Sequence, residues 1–243
     1  MNILGIDIGG SAIKGAPVDT LRGRLCEERL QVPTPSPATP ESIAASVTEI
    51  VRHFNWTGLI GCGLPAVIRN GIACTAANID PSWIGTDVVR LFSARTGLDT
   101  TVLNDADAAG MAEMHYGAGS KATGTTIVVT AGTGLGTALF RDNILVPNTE
   151  LGHLYLHGKI AEHHAAALVR TELKLSYRDW AKRFDEYLHR LEELFWPDLF
   201  IIGGEISKDH TQFFPHLTTR TRILPAALRN DAGLIGAAAA VRL

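Results

Sequence analysis

Two stretches of this chain share one pattern: a β-rich run, a tight glycine turn, and a second run that returns at once. The first spans residues 3–18 and turns at Gly9-Gly10-Ser11; the second spans 125–140 and turns at Gly132-Thr133-Gly134. Runs joined by so short a turn pair as antiparallel hairpins. A chain that builds the same hairpin in each half points to two related lobes, each offering a glycine tip to a ligand. A strand at residues 25–32 is expected to extend the first hairpin into a meander.

The segments between the hairpins read as alternating strands and helices, the pattern of an α/β fold. Residues 33–40 carry a proline at every second or third position and form a stiff connector. Thr39 then suits an N-cap with Pro40 in the first helical turn, and Ile43, Val47, Ile50, Val51 and Phe54 follow at helical spacing. Strands are predicted at 59–64 and 100–104, an irregular polar loop containing Trp83 at 78–85, and a short helix at 88–95. The glycine-rich run at 117–124 marks the lobe boundary, which gives an N-terminal lobe of 1–116 and a C-terminal lobe of 117–243. In the second lobe Ser176 caps a helix whose buried stripe runs from Trp180 to Phe195 and which Pro197 ends. Strands follow at 199–202 and 223–224. The apolar helix at 232–241 suits packing between neighbours, and it is expected to return to the N-terminal lobe.

Composition narrows the functional classes. The chain has 243 residues, 46% of them hydrophobic, and a net charge of −3, which argues against a nucleic-acid or membrane-surface protein. No apolar run reaches membrane-spanning length. The first residues lack the basic start and apolar core of a leader, and no DNA-binding segment is expected ahead of them. Cys26, Cys62 and Cys74 are scattered, odd in number and free of C-x-x-C spacing. They read as reduced thiols of a cytoplasmic protein.

Four motifs carry chemistry. In Asp7-Ile8-Gly9-Gly10-Ser11-Ala12-Ile13-Lys14, adjacent glycines let backbone N–H groups converge on an anion. Asp7 could hold hydrated Mg²⁺, and Lys14 could meet phosphate; a bare hairpin is the alternative. The second tip, Gly132-Thr133-Gly134-Leu135-Gly136, begins like a dinucleotide fingerprint, but a strand rather than a helix follows it, so two phosphate loops are the better reading. Asp105 follows the strand at 100–104, where open α/β sheets bind ligands. It suits a general base towards a hydroxyl, with helix capping by Asn104 or Asp105 as the alternative. Glu150-Leu151-Gly152-His153 pairs a carboxylate with an imidazole, suited to gripping sugar hydroxyls. The alternatives are a plain surface pair, or a metal site of Glu150, His153 and His157. His153 to His157 alternates like a strand, and His163-His164 reads as surface.

Taken together, these motifs resemble those of the ROK family of sugar kinases. The matching stretches are Asp7-x-Gly9-Gly10-x-x-x-Lys14, Gly132-Thr133-Gly134-x-Gly136, Asn104-Asp105 and Glu150-x-Gly152-His153. Longer ones at 77–87, 103–110, 146–153 and 225–233 are similar to the branch that phosphorylates glucose with polyphosphate. The resemblance implies a two-lobed actin-like (ribonuclease H-like) sugar kinase fold whose lobes close over sugar and donor. It implies Asp105 as catalytic base and Asn78, Asn104, Glu150, His153 and Glu162 as sugar-binding residues. Asp7, Gly9, Gly10, Lys14, Gly132, Thr133 and Gly134 would hold phosphate, with Mg²⁺ on the donor near Asp7. The family's usual zinc-binding cysteine cluster is missing, as it is in the polyphosphate-using branch, so no structural zinc is expected. Glu205 stands where many members have a third glycine near the adenine. The implied partners are glucose, polyphosphate and ATP, in a homodimer without nucleic acid or membrane. An ATP-dependent hexokinase and a non-catalytic sugar sensor are the competing readings.

Overall fold

The structure, a computed structural model, describes residues 1–77 and 79–242; Asn78 lies outside the described residues. The chain divides into two units, one of Met1–Ala112 with Asp231–Leu243 and one of Glu113–Asn230.

In the first unit β1 (Asn2–Ile8) pairs antiparallel with β2 (Ala12–Asp19), from Asn2↔Asp19 to Ile8↔Ile13. Beyond the glycine turn the expected third strand is two: β3 (Arg24–Leu25) and β4 (Leu30–Pro33), both on β2. The gap holds Cys26, Glu27 and Glu28, which are exposed; charge at a sheet edge breaks it into short pieces. On the other side of β1 lie the parallel strands β5 (Ile60–Leu64) and β6 (Thr100–Asn104), giving the order β3-β2-β1-β5-β6.

Helices α1 (Pro40–His53) and α2 (Val88–Thr96) supply the core of this unit. The hydroxyl of Thr39 accepts the N–H of Ser42 at 3.3 Å, and Ile43, Val47, Ile50 and Val51 are buried. The expected irregular loop before α2 contains an ordered 3₁₀ turn, Pro81–Trp83. Asp80 caps it, and Trp83 is fully buried with its indole N–H donated to the carbonyl of Ala38 at 2.8 Å. The C-terminal helix (Ala232–Ala240) belongs to this unit, buried on nearly every side. It comes so close to β5 that a Cβ on Gly61 would overlap the Ala237 carbonyl.

Helix α3 (Asp105–Tyr116) follows β6, and the division between the units falls inside it, after Ala112. Glu113 explains the position. Its buried carboxylate accepts N–H groups from Ala118 (2.9 Å), Ala227 (3.0 Å) and Leu228 (2.7 Å), all in the second unit.

The second unit repeats the first unit's order. β7 (Thr125–Ala131) and β8 (Leu135–Arg141) form the hairpin, β9 (Ile144–Val146) extends it, and the parallel strands β12 (Leu199–Gly203) and β13 (Arg222–Pro225) lie beyond β7. Between them come the short hairpin β10 (Tyr155–Leu156) and β11 (Lys159–Ile160), then α4 (Glu162–Ala165), α5 (Ala167–Glu172) and the long α6 (Tyr177–Phe195). The expected strand from His153 to His157 is only partly one: a 3₁₀ turn covers Leu151–His153, and His157-Gly158 turns the hairpin. Positive φ at both residues (51° and 74°) is what a two-residue hairpin turn of the primed type needs. Helix α6 buries Trp180, Phe184, Tyr187, Leu188 and Leu191, and the Trp180 indole N–H reaches the carbonyls of Ala165 and Ala166, each at 3.1 Å. Among the described residues no helix is long and apolar enough to cross a membrane.

Candidate active site

The site residues fall into two groups, one in each unit. In the first unit the β1–β2 tip is held closed by the Gly9 N–H on the Ala12 carbonyl at 3.1 Å. Thr34 braces it from β4's end: its hydroxyl donates to the Gly9 carbonyl at 2.6 Å and its N–H to Ser11 at 3.2 Å. A Cβ on Gly10 would meet nothing within 4 Å, and its φ is not in the left-handed region. Neither packing nor backbone strain demands glycine there, so the bare backbone is left open to a ligand. Asp7 faces Lys14 across the hairpin, with Lys14 Nζ 3.7 Å from its carboxylate. Burial pushes the Asp7 carboxyl above its ordinary range, and Lys14 and Arg29 pull against that rise.

Asp105 lies at the same sheet end. The parallel register aligns Asp7 with Gly63 and Gly63 with Leu103, two residues before Asp105. Two strand spacings separate the backbones, on the order of 10 Å. Asn104 is buried and serves α3: its side-chain oxygen accepts the N–H of Ala106 (2.9 Å) and Asp107 (3.1 Å), and its amide donates to Ala66 at 3.2 Å. Asp105 also accepts the Ala106 N–H, at 2.8 Å. Asn104 takes up capping, the simpler alternative at this pair.

In the second unit the β7–β8 tip closes through the Gly132 N–H on Gly134 at 3.0 Å, and α5 braces it where the Leu168 N–H meets the Gly132 carbonyl at 3.0 Å. Thr133 is exposed, and a Cβ on Gly132 would meet nothing within 4 Å. At the base of this tip stand Glu150, His153 and Glu162. His153 Nδ1 is 3.8 Å from Glu150 and its Nε2 is 3.7 Å from Glu162; the other Glu162 oxygen accepts the Leu135 N–H at 3.4 Å. The glycine between Glu150 and His153 is required by packing, because a Cβ on Gly152 would overlap the Leu135 carbonyl. Burial raises the Glu150 carboxyl above its ordinary range; His153 opposes the rise and the Glu162 charge adds to it.

Sequence reading missed the supports of these groups. Thr137, on β8 and buried, donates to the Thr149 carbonyl at 2.5 Å and accepts the Leu151 N–H at 3.1 Å, which pins both sides of Glu150. Thr34 does the same for the first tip. Neither has a motif of its own; a lone threonine in or beside a strand carries no signal of the loop it holds. His164, read as plain surface, meets Glu186 at 2.9 Å, and His157 meets the same oxygen at 3.2 Å. The alternative trio of Glu150, His153 and His157 is not assembled: His153 stays beside Glu150, but His157 turns to Glu186.

Residues 3–167 match the model of the ROK family. The polyphosphate glucokinase of Mycobacterium tuberculosis (strain CDC 1551 / Oshkosh) is 46% identical over 237 residues, 97% of this chain and 89% of that protein. The solved inorganic polyphosphate/ATP-glucomannokinase from Arthrobacter sp. strain KM matches with a TM-score of 0.96 at 45% identity, covering 100% of this chain and 99% of the other. A ROK family glucokinase from Streptomyces griseus, solved in complex with glucose and AMPPNP, matches with a TM-score of 0.82 at 25% identity over 98% of each chain. With its two-lobed, actin-like α/β fold, the chain belongs to the ROK family.

Proposed function

We propose that this protein is a polyphosphate–glucose phosphotransferase, forming glucose 6-phosphate with inorganic polyphosphate as preferred donor and ATP as a second one. The observation that carries the reading is the 46% identity with a polyphosphate glucokinase across 97% of the chain. The site chemistry agrees with it. Asp105 takes the proton of the 6-hydroxyl as that oxygen bonds to the terminal phosphorus and the bond to the rest of the donor breaks. Glu150, His153 and Glu162 hold the sugar hydroxyls, with Asn78; Asn104 contributes through its hold on the start of α3 and its remaining amide hydrogen. The open backbone at Gly9-Gly10 and Gly132-Thr133-Gly134, with Lys14, stabilises the charge on the transferring group.

Asp7 fits a hydrated Mg²⁺ that arrives with the phosphates. It is a single, partly exposed carboxylate beside an open anion loop, and Mg²⁺ keeps most of its waters when bound this way. The ion supplies charge neutralisation on the donor. A zinc held by a cysteine cluster is not part of this reading. The three cysteines are all free, all lie in the first unit, and Cys62 is buried with its thiol pushed up by that burial.

The reading extends to a cytoplasmic homodimer with no nucleic-acid or membrane partner. Its direct test is a coupled glucose 6-phosphate assay that offers polyphosphate and ATP separately. Turnover with both, faster with polyphosphate, is expected. Turnover with ATP alone would leave an ordinary hexokinase, and turnover with neither would leave a sugar sensor.

A further inference from the structure

Three polar side chains from three elements of the second unit converge outside the sugar-binding group. His157 comes from the β10–β11 turn, His164 from α4, and Glu186 from the exposed face of α6. Their donor atoms all lie within 4.8 Å of one another. Both imidazole Nε2 atoms approach the same Glu186 oxygen, His164 at 2.9 Å and His157 at 3.2 Å, and the two rings are 5.7 Å apart. Hydrogen bonding alone accounts for each pair. It does not call for two imidazoles from separate elements to meet at one oxygen.

A tetrahedral Zn²⁺ holds nitrogen and oxygen ligands at about 2.0–2.1 Å, which sets neighbouring ligand atoms about 3.3 Å apart. The two nitrogen–oxygen separations already lie near that value. Two imidazoles and a carboxylate suit Zn²⁺, Co²⁺ or Ni²⁺ and do not suit Mg²⁺, which prefers oxygen. His157 and Glu186 are well exposed, their side chains 70% and 51% accessible, so solvent can complete the coordination shell.

We propose that His157, His164 and Glu186 form a surface site for a divalent transition-metal ion of the zinc class. The site shares no residue with the sugar-binding group and uses no cysteine. Occupied, it cross-links the β10–β11 turn, α4 and the middle of α6. Because α4 begins at Glu162, the metal would brace the segment that carries that carboxylate.

The test is metal binding by the full-length protein, independent of catalysis. Chelator-treated protein is titrated with Zn²⁺ by calorimetry and with Co²⁺ by visible absorption. One ion per chain is expected, and a large excess of Mg²⁺ should not displace it. E186Q, a conservative surface change, should weaken binding about tenfold or more, since even an outer partner of a metal ligand is worth that much. The double variant H157A/H164A should abolish that binding, while H153A retains it. Melting curves in chelator establish that each variant is folded. No stoichiometric binding to the wild type would overturn the site. So would undiminished binding to the folded double variant, or loss of binding in H153A alone, which would move the metal to the sugar-binding group.

Discussion

On the proposed mechanism, a single proton at Asp105 decides the chemistry. Asp105→Asn keeps the size of the side chain and one acceptor oxygen, so the contact with the Ala106 N–H can persist. The amide cannot take a proton at neutral pH. Turnover should fall about a hundredfold or more, with glucose affinity measured by calorimetry close to wild type. Near-normal turnover would remove Asp105 from the mechanism. Glu150 makes the opposite kind of case. Its carboxyl titrates above its ordinary value of 4.5, chiefly through burial. The folded state therefore holds this proton more tightly than the unfolded state, and stability is lost as pH rises through the folded value. Glu150→Gln should raise the melting temperature at pH 7, lose that advantage below about pH 4, and bind glucose worse. A lower melting temperature at pH 7 would contradict this account. The position of Asp105 at a strand end and the nearness of Glu150 to His153 were legible, because both follow from local pattern. The capping role of Asn104 was not, since both residues are competent caps and only geometry shows its oxygen on two N–H groups.

Among the elements, the two hairpins were legible from pattern alone, because period and turn chemistry are local. The contacts that hold their neighbours are not local. Glu113 reads as an ordinary helix residue, yet it collects N–H groups from Ala227 and Leu228, more than a hundred positions later in the chain. Glu113→Ala leaves those donors without their acceptor and should cost about 2–3 kcal/mol, read as a lower urea midpoint. Glu113→Gln, which keeps one acceptor oxygen, should lose less. An unchanged midpoint for Glu113→Ala would mean the 225–228 loop is held by other contacts. The break between β3 and β4 was likewise hidden, because a β-rich stretch does not show where its edge charges interrupt the ladder.

For the whole molecule, charge governs the choice of donor. Polyphosphate has no base to stack, so its binding relies on charge and backbone donors. Of the basic residues that could form a track, Lys208 is already engaged by Glu205, whereas Lys121 and Arg229 are exposed. Catalytic efficiency with polyphosphate should decline with added salt more steeply than with ATP. ATP matching polyphosphate at low salt would reverse the donor order. A chelator should stop turnover with either donor while the circular dichroism spectrum stays that of the folded protein; unfolding on chelation would reveal a folding metal. The tryptophans have a practical consequence. Trp83 is sealed in the core of one unit and Trp180 in the core of the other, while Trp196 stands in solvent. Emission from the two buried indoles should shift to the red as each core opens. The double variants Trp56→Phe/Trp83→Phe and Trp180→Phe/Trp196→Phe would then leave reporters in one unit at a time, so fluorescence-detected denaturation can show whether the halves of this kinase melt as one cooperative body or in sequence.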